Sequence, residues 1–410
     1  MKIAFIGGFA FSPKGTIRAR AHPIAAELVR GGHEVTIFLP PYDNLEHSGI
    51  EWQLDGVCIH NVGLPVGAAK TRQSVLSKAI DYPRLLTELV GAVNRYRPDL
   101  IHIFKPKGFA GAAGTYFFLK GLRSIVLDCD DWEGWGGWND AKTYPGIVKH
   151  YIDRQERWMM QTMPAVTAAS HVLEERARTI RGEQESVYYV PNCGPSNGAR
   201  DIQTRVRARP VTETRRVLGL ADGPIVLYSG HFEPAEDAEF FCRAAADVIE
   251  QNRASIIFIG DGPQLPRVRA FFSQRLGSKV LFLPQLPYEQ FLQLVWAADI
   301  AAFPYSNDAV HRAKCSARIV DYMAMGKPVL TSAVGQNHEY IVNGESGVLA
   351  RPGDEKHFSE QLDHLLRNPQ LCERLGQAAE LRIREKFDWS GVPLQNCLAA
   401  YERVTHLQRN

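Results

Sequence analysis

Lys314, Arg318 and Asp321 fall at spacings of four and three in Lys314-Cys-Ser-Ala-Arg-Ile-Val-Asp-Tyr-Met-Ala-Met-Gly-Lys-Pro328. This pattern predicts a helix opening at Lys314, stopped by Gly326, with a strand launched from Pro328-Val329. The first turn of a helix offers unpaired backbone N–H groups and the positive end of its dipole, which together suit a phosphate. Lys314 and Arg318 would add mobile positive charge on one face. Asp321, on the same face, would accept hydrogen bonds from a diol such as a ribose. Diphosphate plus ribose describes a nucleotide. The same spacing also fits an amphipathic surface helix in which Arg318 and Asp321 form an i,i+3 pair.

Elements able to position these groups recur along the chain. At 410 residues it exceeds one ordinary core, so two domains are expected. Short apolar runs alternate with longer amphipathic stretches, the pattern of parallel βαβ units. A first series of strands is predicted at 3–6, 35–39, 100–104, 125–127, 166–168 and 187–190, with helices over 17–30 and 85–95 between them. A second series follows at 225–229, 256–259, 280–283, 300–303 and 329–331. The Arg-, Thr- and Pro-rich stretch between them reads as a linker. The expected fold class is α/β, with two Rossmann-like, doubly wound domains facing across a cleft. The expected limits are 1–194 for the first domain, 195–224 for the linker and 225–385 for the second domain. A C-terminal helix in 386–410 would cross back to the first.

Lys plus Arg number 47 against 45 Asp plus Glu, a net charge of +2, which argues against nucleic acid as a partner. The seven cysteines show neither CxxC pairs nor metal spacing, as expected of reduced thiols in a cytoplasmic protein. Met1-Lys2 runs straight into an apolar strand, and no run is long enough to span a bilayer. A soluble protein is expected, with peripheral membrane contact left open.

In doubly wound sheets, ligands sit beyond the carboxyl ends of the strands. The first predicted strand ends in Gly7-Gly8, ahead of a loop with Ser12, Pro13 and Gly15 and a helix carrying Arg18 and Arg20. In the second series, Gly230-His231 and Gly260-Asp-Gly262-Pro263 end successive strands, where bare backbone can approach a ligand or simply turn. Lys105 and Lys107 follow the strand 100–104, placed to meet an anionic acceptor or a leaving diphosphate. Most unusual is Asp128-Cys-Asp130-Asp131-Trp132-Glu133-Gly-Trp135, acids and tryptophans in one loop. Asp128-x-Asp130 matches a metal-binding pattern, but three residues are unspecific and no metal is expected. Aromatic faces and carboxylates also suit a polyol, which makes Asp130, Asp131, Trp132, Glu133 and Trp135 candidates for acceptor binding. A rigid, Trp-packed structural loop fits the same residues.

The second half resembles the retaining nucleotide-sugar glycosyltransferases of family 4, with the GT-B fold. The resemblance rests on the Gly230-His231 loop, Gly260-Asp-Gly-Pro, Val280-Leu-Phe-Leu-Pro-Gln-Leu286, Pro304-Tyr-Ser, Asp321-Tyr-Met-Ala-Met-Gly-Lys-Pro-Val and Gly335-Gln-Asn-His-Glu339. Gly31-Gly-His33, Pro98-Asp-Leu-Ile-His102 and Pro191-Asn192 extend it more loosely into the first half. It implies transfer of a sugar from a UDP-, GDP- or TDP-sugar to a hydroxyl of a small-molecule, glycan or lipid-linked acceptor. Anomeric configuration would be retained, with neither metal nor cofactor. The donor would lie against Gly230, His231, Gly260, Gly262, Leu283, Leu286, Arg312, Cys315, Ser316, Ala317 and Asp321. Asp321 stands where the family has the second Glu of its Glu-x7-Glu motif, whereas the first would align at Ala313. The family's cation pair aligns at His231 and Glu236, so Lys314 and Arg318 are the expected substitutes at the leaving diphosphate. His102 matches a family active-site strand, though Phe104 replaces its second His and a core position also suits His102. Gly7, Gly8, Lys105 and Lys107 would meet donor phosphate or acceptor. A nucleotide-sugar epimerase of the same fold and a catalytically idle homologue are the alternatives.

Overall fold

The computed structural model describes residues 1–12, 15–63, 75–182, 185–220, 223–232 and 235–409. The chain divides into two compact units. One comprises Met1–Asn192, Ala313–Cys315 and Trp389–Asn410; the other comprises Cys193–Arg312 and Ser316–Asp388.

The first unit holds eight strands among its described residues: β1 (Lys2–Ile6), β2 (Glu34–Leu39), β3 (Glu51–Leu54), β4 (Val57–Asn61), β5 (Leu100–Phe104), β6 (Ile125–Cys129), β7 (Ala165–Ala168) and β8 (Val187–Tyr189). Their order is β3-β4-β2-β1-β5-β6-β7-β8, and every neighbouring pair is parallel except β3 with β4. Strands β1, β5 and β6 are almost wholly buried, as a parallel sheet covered on both faces requires. Ile101, Ile103 and Leu127 pack with Leu89, Phe109 and Met159 from covering helices. Sequence reading missed β3 and β4, a two-residue hairpin whose Asp55 and Gly56 have φ of 50° and 78°, the Asp-Gly signal of a tight turn.

The second unit carries β9 (Ile225–His231), β10 (Ser255–Asp261), β11 (Val280–Leu283), β12 (Ile300–Phe303), β13 (Val329–Ser332) and β14 (Val348–Ala350). All are parallel, in the order β11-β10-β9-β12-β13-β14. The expected linker is corrected: its residues form helices Asn197–Arg207 and Val211–Val217, both within the second unit. Their arginines are what low apolar content concealed. Arg207 pairs with Glu380 and Arg215 with Asp299, each at 2.8 Å, and Arg200 pairs with Asp388.

Candidate functional site

In the second unit the helix expected at Lys314 starts three residues later, at Ala317. Ser316 caps it, its hydroxyl accepting from the Ile319 N–H, and Lys314 lies outside the helix. The shared cationic face is therefore corrected. Lys314 belongs to the first unit and Arg318 to the second. Arg318 reaches back to the end of β9, where Nη1 donates to the Ser229 carbonyl at 2.5 Å. The Tyr322 hydroxyl meets Ser229 Oγ, fixing the same helix to the same strand end. Asp321 accepts from the Tyr288 hydroxyl at 2.8 Å. One strand end thus gathers a guanidinium, a carboxylate one helical turn away and the backbone of Gly230.

The glycines here serve strand packing as well as open backbone. Gly260 has φ of 139°, and a side chain there would run into the Gly230 carbonyl. Gly262 has φ of 152°, and its Cβ would lie 2.8 Å from the Phe232 nitrogen. Leu283 ends β11, with Leu286 half-buried just beyond. Arg312 is exposed and donates to the Asn307 carbonyl at 3.2 Å. The side chains of His231 and Glu236 lie outside the described residues, as do Pro13 and Lys14. Sequence reading missed the support of the loop after β12. Asp237 accepts the Ser306 N–H and His311 Nε2, each at 2.8 Å, while Asp308 holds His311 Nδ1.

In the first unit, two groups proposed separately form one cluster. Lys105 Nζ lies 3.1 Å from Asp130, 2.6 Å from Asp131 and 3.0 Å from Glu133. Lys107 pairs with Glu133 as well. Lys105 is buried, with φ of 82°, a conformation costly for a non-glycine and held only by surroundings that over-determine it. Burial alone would lower the pKa of its ammonium, but the three carboxylates hold it well above the ordinary lysine value. Burial lifts the Asp130 carboxyl to about 6, despite Lys105. Burial also opposes ionisation of Asp131, yet Lys105 and Lys314 keep its pKa below the usual range. The buried Asp130 Oδ1 has the Lys105 ammonium as its partner.

Glu156 aims this loop. Its wholly buried carboxylate accepts the N–H groups of Glu133 and Gly134, at 2.8 and 3.1 Å, and pairs with Arg176 at 2.6 Å. Trp132 donates to the Trp135 carbonyl at 2.9 Å, with the Arg176 guanidinium 4.1 Å from its ring centre. Trp135 stays half-buried, its N–H on Asp153 at 2.9 Å. The tripeptide Ala313–Cys315 is tied down next to these elements: Ser170 Oγ donates to the Ala313 carbonyl at 2.6 Å, and Asn192 Nδ2 to that of Cys315 at 2.7 Å.

Two expectations change here, those for His102 and Gly7. His102 is fully buried, with Nδ1 2.8 Å from the Tyr401 hydroxyl and Nε2 3.3 Å from Thr167 Oγ1. Burial lowers its pKa to about 4, so it is a neutral core residue rather than a group meeting substrate. The two acids of Asp128-x-Asp130 diverge: Asp128 makes a two-pronged bond to the buried Arg20, at 2.7 and 2.6 Å, whereas Asp130 faces Lys105. Gly7 is closed off by packing, since a Cβ would meet Leu39 at 2.5 Å and Ile17 at 2.7 Å, while Gly8 keeps more space. The partners of Arg20 and Glu156 had no local signal, because 108 residues separate Arg20 from Asp128.

Two Rossmann-like parallel sheets, with candidate groups at their carboxyl ends, define a GT-B fold. Residues 211–382 match the family of glycosyl transferases group 1, and residues 15–193 match the glycosyl transferase 4-like domain. The chain belongs to the family-4-like glycosyltransferases of the GT-B class. It is 31% identical over 197 residues to the D-inositol 3-phosphate glycosyltransferase of Nocardia farcinica, covering 46% of this chain and 42% of that one. Identity to the alpha-D-kanosaminyltransferase of Streptomyces kanamyceticus is 25% over 253 residues, 60% of this chain and 63% of that one. The chain thus spans about half the length of these curated relatives. Among solved structures, Anabaena HepE in complex with UDP-glucose superposes with a TM-score of 0.70 at 19% identity, covering 97% of this chain and 98% of that one. Among the described residues no helix is long and apolar enough to cross a membrane.

Proposed function

We propose that the protein transfers a sugar from a nucleoside-diphosphate sugar to an acceptor hydroxyl with retention of anomeric configuration. The observation that carries this reading is the strand end in the second unit, where Arg318, Asp321 and the Gly230 backbone converge. Arg318 would stabilise negative charge on the departing diphosphate, with the N–H groups at Ser316 and Ala317 beside it, and Asp321 would hold the ribose. The complex of HepE with UDP-glucose supports a UDP-sugar as the first donor to test.

The acceptor would be held by the first unit. Asp130, a carboxylate beside Lys105, would accept from an acceptor hydroxyl, and half-buried Trp135 offers an apolar face. Lys105, Lys107 and Lys314 would keep the neighbouring acids from repelling an electron-rich acceptor. In a retaining transfer of this kind the acceptor oxygen bonds to the anomeric carbon on the face the diphosphate leaves. The acceptor proton passes to the departing phosphate oxygen, so no protein nucleophile is needed.

A panel of UDP-, GDP- and TDP-sugars, read by thermal stabilisation, identifies the donor. NMR of the product then reads its anomeric configuration, and turnover in EDTA tests independence from metal. An inverted product, or activity lost to EDTA and restored by Mn²⁺, would overturn the corresponding part.

A further inference from the structure

A cavity of about 560 Å³ opens in the second unit where Pro224, Ile300 and Pro328 mark the amino-terminal ends of β9, β12 and β13. It lies at the opposite end of these strands from Gly230, so it is separate from the candidate donor site. Trp296, Met325, Leu365 and Leu366 give it apolar walls, and its size suits a small ligand.

Three cations reach it, and two are already matched. Arg207 pairs with Glu380 and donates to the Ala324 carbonyl, both at 2.8 Å. Arg215 pairs with Asp299 at 2.8 Å and donates to the Ala297 carbonyl at 2.9 Å. Lys327 has no carboxylate oxygen within 4 Å among the described residues. Its ammonium donates to the Trp296 carbonyl at 2.8 Å and stands 4.5 Å from the centre of that indole. A largely buried cation without a counter-charge is costly, and the protein meets part of that cost by easing the proton away. Burial lowers the Lys327 pKa to about 8, with the opposing pull of Asp299 countered by Arg215 and Arg207.

We propose that this cavity binds a small organic monocarboxylate with an aromatic or branched apolar body, its carboxylate on Lys327 and its body against Trp296. Among the described residues, Lys327 is the cation of the lining without an ion-paired carboxylate, and a monocarboxylate would supply one; Glu373, the remaining acid of the lining, accepts from Gln377 at 3.3 Å. The apolar walls favour a carbon skeleton over a hydrated inorganic anion.

Benzoate is the probe, with benzyl alcohol and inorganic phosphate as controls, titrated calorimetrically into the full chain in buffers of different ionisation enthalpy. The other charged groups lining the cavity are Arg207, Arg215, Asp299, Glu373 and Glu380, of which Asp299, Arg215 and Arg207 act on the ammonium, and burial holds the nearby Cys372 thiol at about 12. Benzoate should therefore bind with uptake of a fraction of a proton at pH 8, because the anion returns Lys327 to its charged form. At pH 6, where Lys327 is already protonated, the uptake should vanish. Lys327→Met should weaken benzoate by about tenfold or more, and Lys327→Arg should retain binding without proton uptake. The Arg variant and the proton count decide the matter if the Met variant folds poorly. Failure of benzoate to bind at millimolar concentration would overturn the proposal. So would equal binding of benzyl alcohol, tighter binding of phosphate, or benzoate affinity unchanged in both variants.

Discussion

Arg318 occupies the space that a side chain on Gly230 would need: a Cβ there would lie 2.7 Å from the Arg318 Nη1 that bonds the Ser229 carbonyl. A strand end and a helix start, 88 residues apart in sequence (318 − 230), therefore share one small volume.

Gly230→Ala should push the guanidinium off its carbonyl, and Arg318→Ala should remove it. Both should weaken the nucleoside diphosphate and lower kcat/KM, the latter by about 2 kcal/mol, or roughly thirtyfold. Titration of the diphosphate and steady-state kinetics read the two effects. Unchanged kinetics in Arg318→Ala would remove it from the leaving-group site.

Asp321→Asn should weaken nucleoside diphosphate and donor sugar alike, leaving acceptor KM unaltered. Tyr288→Phe, which removes the hydroxyl bonded to Asp321 at 2.8 Å, should do the same more mildly. A change confined to acceptor KM in either variant would contradict the ribose assignment.

Lys105→Met strands three carboxylates around an apolar group, so it should cost roughly 3 kcal/mol or more in unfolding free energy, read by denaturant titration. Asp130→Asn spares the fold, because Lys105 keeps two acids within 3.0 Å. With its pKa raised to about 6, Asp130 offers a charged hydrogen-bond acceptor to the acceptor hydroxyl only once ionised, while the proton itself passes to the departing phosphate. Activity should rise with pH through about 6 in the wild type, and Asp130→Asn should lower kcat and flatten that rise.

His102 makes stability sensitive to acid. Its pKa is about 4 in the folded chain against 6.5 unfolded, so between these values the unfolded chain binds the extra proton. Its contribution is therefore present above pH 6.5 and is lost as pH falls towards 4, on the order of 3 kcal/mol in all. His102→Gln should reduce the loss of Tm between pH 7 and 5, whatever its effect at pH 7. An unchanged slope would assign the acid sensitivity to other groups.

Runs such as Ile3–Ile6, Leu100–Phe104 and Ile256–Ile259 announce parallel strands because burial on both faces demands unbroken apolar residues, a local requirement. The ordered loop signatures of the second half likewise pointed to the GT-B class, since turns and helix caps are written within a few residues. Charge pairing is not local. Nothing near Lys105 in sequence says that it will be buried under Asp130, Asp131 and Glu133, or that Glu156 will aim their loop. The spacing of Lys314 and Arg318 allowed one helical face, but packing starts the helix at Ala317 and ties Ala313–Cys315 to Ser170 and Asn192 instead. Sequence determined which elements form and which residue types end them. Tertiary structure alone decided which charges meet, because an ion pair depends on distance in space, which chain spacing fixes only within one helix or one turn.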